Sequence, residues 1–257
     1  MAVGLGLLAV VLLPLFYFKD FFWLVLAAAA CVGTWEMARA MRAAGAKAPV
    51  APVLAGSVTI TALAWYSGVD GLSIGLLIGV LATLVWRMGE GPVGYQRDMG
   101  AAALILVYVP FLLGFAALLA RPDDGAWRIV VTLGAVVLSD TGGYVAGVLL
   151  GKHPMAPAIS PKKSWEGFAG SVVASAAGSA VLLPMLLDIA AWKGAIFGLV
   201  VSAAAVLGDL AESLIKRDLG VKDMSNLLPG HGGLMDRLDS ILFAVPTAYL
   251  LLSVLAA

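Results

Sequence analysis

The chain has 257 residues, 61% of them hydrophobic and only 12% charged, with a mean hydropathy of +1.00; soluble domains carry about 25% charged residues. Such a chain belongs in lipid. Sixteen Lys and Arg balance sixteen Asp and Glu, so the basic excess that nucleic-acid binding draws on is missing.

Met1 opens directly on an apolar run, with no basic region ahead of it and no small-residue cleavage site, which predicts a retained first span rather than a removed signal peptide. A bilayer core takes about 20 apolar residues per helix. On that measure spans are predicted at 2–18, 21–40, 50–68, 71–88, 99–120, 128–150, 168–187, 190–214 and 236–256. The expected fold is therefore all-α, a polytopic bundle of about nine transmembrane helices forming a single integral membrane domain over 1–257. Cys31, the only cysteine, lies inside an apolar run and reads as a small core residue. Glu36, near the inner end of the second span, reads as a snorkelling, structural acid. Gly75 with Gly79, and Gly143 with Gly147 and Gly151, recur at four-residue spacing and predict close helix packing. With nine spans, Arg39, Arg42, Lys47, Arg87, Arg97, Lys152, Lys162, Lys163, Lys216, Arg217, Lys222 and Arg237 share the N-terminal face, against Lys19, Arg121, Arg128 and Lys193 opposite. The positive-inside rule then places the N-terminus in the cytoplasm.

Charged groups near a bilayer need partners, so they mark candidate sites. The catalytic elements are expected to concentrate in two stretches, 139–167 and 208–240. In the sixth span, residues 139–144 read Ser-Asp-Thr-Gly-Gly-Tyr and put Asp140 at membrane depth, where it needs a partner or a wet cavity. The following loop carries Ser160, Lys162, Lys163 and Ser164, two hydroxyls and two cations that suit phosphate or a lipid headgroup. Interfacial anchoring explains the same lysines equally well. The eighth span ends with Asp209, Glu212, Ser213, Lys216 and Arg217, and helical spacing aligns Asp209, Glu212 or Ser213, and Lys216 as a polar stripe. Taken alone, Lys216 and Arg217 read as interfacial anchors, but Asp209 does not.

Past Lys222, residues 229–239 read Pro-Gly-His-Gly-Gly-Leu-Met-Asp-Arg-Leu-Asp. Gly232 and Gly233 allow a tight turn exposing backbone N–H groups, an anion cradle, while Asp236 and Asp239 fall on one face of the ninth helix. Hard cations such as Mg²⁺ take one or two carboxylates with phosphate and water oxygens completing the shell, so two or three Asp from these two helix ends suit a metal–nucleotide site. Arg237 is a cation in a helical first turn, unfavourable against the macrodipole unless an anion or carboxylate holds it. His231, between glycines, reads as a hydrogen-bond donor to phosphate or backbone rather than a metal ligand.

At these residues the chain resembles the phosphatidate cytidylyltransferase, or CDP-diacylglycerol synthase, family. The match to the long family signature runs from Ser213 through Lys216, Arg217, Lys222, Asp223, Ser225, Leu228, Pro229 and 231–234 to Asp236 and Asp239; the blocks 139–144 and 160–167 are similar to the family as well, with Ser164 where Thr is common. The first five spans carry hydrophobicity alone.

The resemblance implies transfer of a cytidylyl group from CTP to phosphatidic acid, giving CDP-diacylglycerol and pyrophosphate with Mg²⁺ required. It assigns the metal to Asp209, Asp236 and Asp239, a phosphate contact to Lys216, and a second cation such as K⁺. It further implies a homodimer in the bacterial inner membrane, among membrane lipids, with the site facing cytosol. Ser160, Lys162, Lys163, Ser164, Ser213, Arg217, Lys222, His231, Gly232, Gly233 and Arg237 are the expected substrate-binding groups. Two other readings fit parts of the pattern: a polyprenol kinase-like, CTP-dependent lipid enzyme releasing CDP, and an ion-coupled transporter burying Asp140, Asp209 and Glu212.

Overall fold

The computed structural model describes the backbone of residues 2–227, 230 and 232–255, and nearly all of it is helical. In chain order the elements are α1 (Ala2–Tyr17), α2 (Phe22–Ala43), α3 (Val50–Met88), α4 (Tyr95–Leu106), a π turn (Val107–Phe111), α5 (Leu112–Ala120), α6 (Gly125–Leu150), the strands β1 (Pro154–Ala156) and β2 (Ser160–Ser164), α7 (Trp165–Leu187), α8 (Ala191–Asp218) and α9 (Met235–Leu255). They group into two compact units, 1–121 with 218–237, and 122–217 with 238–257. The chain is a multi-pass membrane protein.

Among the described residues seven helical runs, not nine, are long and apolar enough to cross a membrane. Two causes reduce the number. The first helix has 16 residues, about 24 Å at 1.5 Å per residue, short of a hydrocarbon core of about 30 Å. The third and fourth expected spans share α3, which is helical except at Gly68, where φ 70 and ψ −145 turn the chain. A Cβ on Gly75 would lie 2.8 Å from the Ile60 Cα, and one on Gly79 3.4 Å from the Gly56 Cα. The halves 50–67 and 69–88 therefore lie back to back as a hairpin, each about 27–30 Å long. Only glycine tolerates this reversal without strain, and the Arg121 guanidinium closes it by donating to the Tyr66 carbonyl at 3.3 Å.

The first unit is further tied by buried polar groups. Thr34 and Ser57 hydroxyls share a hydrogen bond of 2.9 Å between α2 and α3. Arg87, counted from sequence among the basic residues of the N-terminal face, is 3% exposed and pairs with buried Asp98 at 3.0 Å. Arg87 also donates to the Gly91 and Val93 carbonyls, while Asp98 accepts the Lys47 N–H at 2.8 Å. One ion pair thus pins two connecting loops.

In the second unit small residues let helices touch backbone to backbone. A Cβ on Gly142 would lie 2.5 Å from the Gly170 carbonyl oxygen, and one on Gly143 would strike the Ser171 hydroxyl. Ser171 and Ser175 of α7 donate to the Ser139 and Ala135 carbonyls of α6 at 2.8 and 3.0 Å, and Gly194 and Gly198 of α8 leave no room for a Cβ against the Ser179 and Ser175 carbonyls. At Gly208 a Cβ would meet the Asp239 carbonyl oxygen at 2.5 Å and Phe243 at 3.1 Å, so α8 and α9 cross where Asp209 and Asp239 sit. The loop before α7, expected as a cationic turn, is an antiparallel hairpin pairing Pro154 with Ser164 and Ala156 with Ser160.

Candidate active site

A cavity of about 350 Å³ opens within the second unit, lined among others by Asp140, Tyr144, Lys162, Lys163, Ser164, Asp209 and Ser240. Four sequence-predicted residues therefore meet here: Lys162, Lys163, Ser164 and Asp209. The β-hairpin delivers the lysines, and Ser164 ends it by capping α7, its hydroxyl accepting the Gly167 N–H at 3.1 Å. Glu166 holds the other side of that junction by accepting the Lys152 and His153 N–H groups at 3.1 and 3.2 Å. Arg217 reaches the hairpin from α8, donating to the Ile159 carbonyl at 3.3 Å. Ser160 lies within β2, opposite Ala156.

The polar stripe on α8 is internally wired. Ser213 donates to Asp209 at 3.3 Å. Lys216 pairs with fully buried Glu212 at 3.1 Å. Across the cavity the Lys163 ammonium lies 2.6 Å from Asp209 Oδ2 and 3.5 Å from the Val206 carbonyl. Asp140, Asp209 and Asp239 are within electrostatic reach of one another, as are Lys163 for Asp140 and Lys216 for Asp239. Asp140, Asp209 and Lys163 thus face the cavity directly, with Asp239 close enough to act on both acids electrostatically and Lys216 on Asp239. Among the described residues no three His, Cys, Asp or Glu side chains converge tightly enough to hold a metal unaided. Mg²⁺ does not require that, since substrate phosphates and water supply most of its oxygens, and the carboxylates of Asp209 and Asp239 are the right donor class.

The signature turn lies in the first unit and differs from its expected role. Its N–H groups do form an anion cradle, but carboxylates of the chain itself fill it. Glu36, fully buried on α2, accepts the Met235 N–H at 2.8 Å, the Leu234 N–H at 3.0 Å and the Ser225 hydroxyl at 2.5 Å. Asp236 Oδ2 accepts the Gly233 N–H at 2.8 Å and the Met224 N–H at 3.1 Å. The glycines are needed for these acids: a Cβ on Gly233 would lie 2.9 Å from both Glu36 oxygens, and one on Gly232, where φ is 79, would lie 3.0 Å from Asp236 Oδ2. Arg237 is exposed, and among the described residues no carboxylate pairs with its side chain. Lys222 is exposed on the same connection. His231 lies outside the described residues.

Sequence reasoning undervalued Glu36, because its partners lie 189 to 199 positions away. It also gave Asp140 little weight and passed over Ser240. The usable signal for Ser240 was adjacency to Asp239, and for Asp140 a charge amid apolar residues.

A mainly helical membrane chain whose cavity combines carboxylates, lysines and hydroxyls defines a class: an integral membrane protein equipped for phosphate chemistry. Residues 1–255 match the profile of the Cytidylyltransferase family, and the chain belongs to that family. It is 40% identical over 267 residues to the phosphatidate cytidylyltransferase of Mycobacterium bovis, covering 98% of this chain and 87% of that one. The Mycobacterium leprae phosphatidate cytidylyltransferase is 41% identical over 271 residues, 99% and 86% of the two chains. That of Staphylococcus saprophyticus is 40% identical over 158 residues, 59% of each.

Proposed function

We propose that this chain transfers the cytidylyl group of CTP to phosphatidic acid, forming CDP-diacylglycerol and releasing pyrophosphate. The observation that carries the reading is likeness over nearly the whole chain to proteins named for that reaction, joined to a cavity whose groups suit it. A phosphate monoester has a second pKa of about 6, by analogy with phosphorylated side chains, so the lipid phosphate is largely dianionic at neutral pH. It can attack the α-phosphorus in line without a general base, and positioning and charge stabilisation carry the catalysis. One P–O bond forms to the lipid phosphate oxygen as the bond to pyrophosphate breaks.

Lys162 and Lys163 hold nucleotide phosphates against the repulsion of a second anion, Lys163 exchanging Asp209 for phosphate, and Lys216 offsets charge near Asp239. Ser160, Ser164, Ser213 and Arg217 complete the proposed substrate-binding set of the second unit, and Lys222 and Arg237 are the substrate contacts proposed for the first. Asp209 and Asp239, with Asp236 one turn earlier on the same helix, are the proposed holders of Mg²⁺, which when bound supplies Lewis-acid neutralisation of phosphoryl oxygens. K⁺ is the proposed second cation. The protein is proposed to act as a homodimer in the bacterial inner membrane with its site open to cytosol, where CTP is found.

The test uses purified protein in lipid micelles with phosphatidic acid, Mg²⁺ and each nucleoside triphosphate in turn, following lipid product and pyrophosphate. CTP-selective, equimolar formation of CDP-diacylglycerol and pyrophosphate is the expected result. Release of CDP would indicate a kinase acting on a hydroxyl acceptor, and no nucleotide turnover at all would return the chain to the transporter reading.

A further inference from the structure

A second cavity, about 440 Å³, lies wholly in the first unit, between α2 and the connection that precedes α9. Its lining includes Trp35, Arg39, Asp223, Ser225 and Asn226. The Arg39 guanidinium stacks on Trp35, 5.4 Å from the ring centroid, which holds a planar, five-donor fork in one orientation. Among the described residues neither Arg39 nor Asp223 forms an ion pair or a side-chain hydrogen bond. A guanidinium and a carboxylate thus share one cavity without meeting, and among the described residues neither has a counter-charge. Two opposite charges lining one hollow without pairing leave room for a ligand carrying the complementary pair. Arg39 lies four residues before the end of α2 at Ala43, about 6 Å along the helix. A Trp and an Arg near the end of a membrane helix sit at the depth of lipid headgroups.

We infer that this cavity binds a zwitterionic aminophospholipid headgroup, its phosphodiester on Arg39 and its primary ammonium on Asp223. The chemistry is selective in three ways. A phosphate monoester brings two negative charges beside Asp223 and lacks a cation, so phosphatidate is disfavoured. A quaternary ammonium cannot donate a hydrogen bond to Asp223, and the Trp35 face that would attract it is covered by Arg39, so choline is disfavoured. Inorganic phosphate satisfies one half of the site and is repelled by the other.

The experiment titrates full-length purified protein, without CTP or Mg²⁺, with short-chain phosphatidylethanolamine, phosphatidylcholine and phosphatidate, and with inorganic phosphate and CMP as soluble competitors. Its failure leaves the transfer reaction untouched, because no turnover is read. Charge-assisted contacts set the expected scale, so the binding that depends on Arg39 should be about tenfold tighter for the ethanolamine lipid than for the choline lipid or for phosphatidate, which also has the catalytic cavity to occupy, and Arg39→Gln should lose about that factor. Asp223→Asn should bind ethanolamine and choline lipids alike. Arg39→Lys, which keeps the charge and loses the fork, should fall between parent and Arg39→Gln. Unchanged affinity in Arg39→Gln, or unchanged preference in Asp223→Asn, overturns the inference. Displacement of the lipid by inorganic phosphate or CMP also overturns it, the former making the cavity a simple anion site and the latter a nucleotide site.

Discussion

Removing the carboxylate of Glu36 should loosen the signature turn without touching the cavity in the second unit. Glu36 is fully buried and accepts from two backbone amides and one hydroxyl. In Glu36→Ala those amides lose their acceptor inside the protein, and each unsatisfied buried group costs about 1–3 kcal/mol. Loss of an anion at the start of α9 adds about 0.3–1 kcal/mol. The Ser225 hydroxyl can rotate to another partner, so the net cost is about 3–5 kcal/mol. Local opening weakened by that amount speeds amide exchange about a hundred- to a thousandfold or somewhat more, at roughly tenfold per 1.4 kcal/mol. Glu36→Gln retains one accepting oxygen and should show about a tenth of the effect. Hydrogen–deuterium exchange resolved at Leu234 and Met235, in detergent and without substrate, is the assay. Exchange in Glu36→Ala within tenfold of the parent would refute the assignment of Glu36 as the anchor of this turn.

Further outcomes follow from other contacts. Lys216→Met strips Glu212 of its 3.1 Å ion-pair partner and should cost about 3 kcal/mol, the scale for breaking a buried pair; thermal unfolding in detergent measures it, and the double variant Lys216→Met with Glu212→Leu should recover most of the loss. Asp209→Asn and Asp239→Asn each remove a proposed metal oxygen, and turnover at fixed Mg²⁺ should fall about a hundredfold or more, by the scale of losing an electrostatic stabiliser of the transition state; near-normal turnover with normal Mg²⁺ dependence removes that residue from the metal shell. Asp236→Asn should abolish Mg²⁺-dependent turnover while leaving membrane insertion intact, and exchange at Met224 and Gly233 reports separately on its hold over the turn. Gly68→Ala forces a Cβ into φ 70 and to 2.6 Å from the Arg121 guanidinium, so stability should drop by about 1–3 kcal/mol, read as a lowered melting temperature.

Hydrophobicity and spacing carry the helical architecture because a bilayer makes both explicit. The runs from 99 to 256 fall where α4 to α9 lie, and the glycines at 75, 79, 143 and 147 pack closely, as their four-residue period suggests. Gly68 is different. Its role as a reversal depends on φ, which a sequence does not display, and two spans thereby share one helical run. Arg87 shows a second limit: near a helix end it looks like an interfacial anchor, yet its value lies in a long-range pair with Asp98. The cavity is partly legible for the same reason. Lys163 and Asp209 stand out as charges beside apolar segments, whereas their 2.6 Å contact joins α8 to the hairpin through folding alone. The turn at Gly232 and Gly233 is expected to cradle a bound anion, whereas its amides face carboxylates of the chain itself, Asp236 three residues on and Glu36 some 200 residues upstream.

That distance has a consequence for biogenesis. Glu36 enters the membrane early in translation, and its partners at 234 and 235 follow 198 and 199 residues later. At about 5–20 residues per second, the acid waits about 10–40 s for the amides that neutralise its isolation. During that interval the nascent chain holds an orphaned carboxylate, which the insertion machinery must shelter until the ninth helix arrives and locks the fold shut.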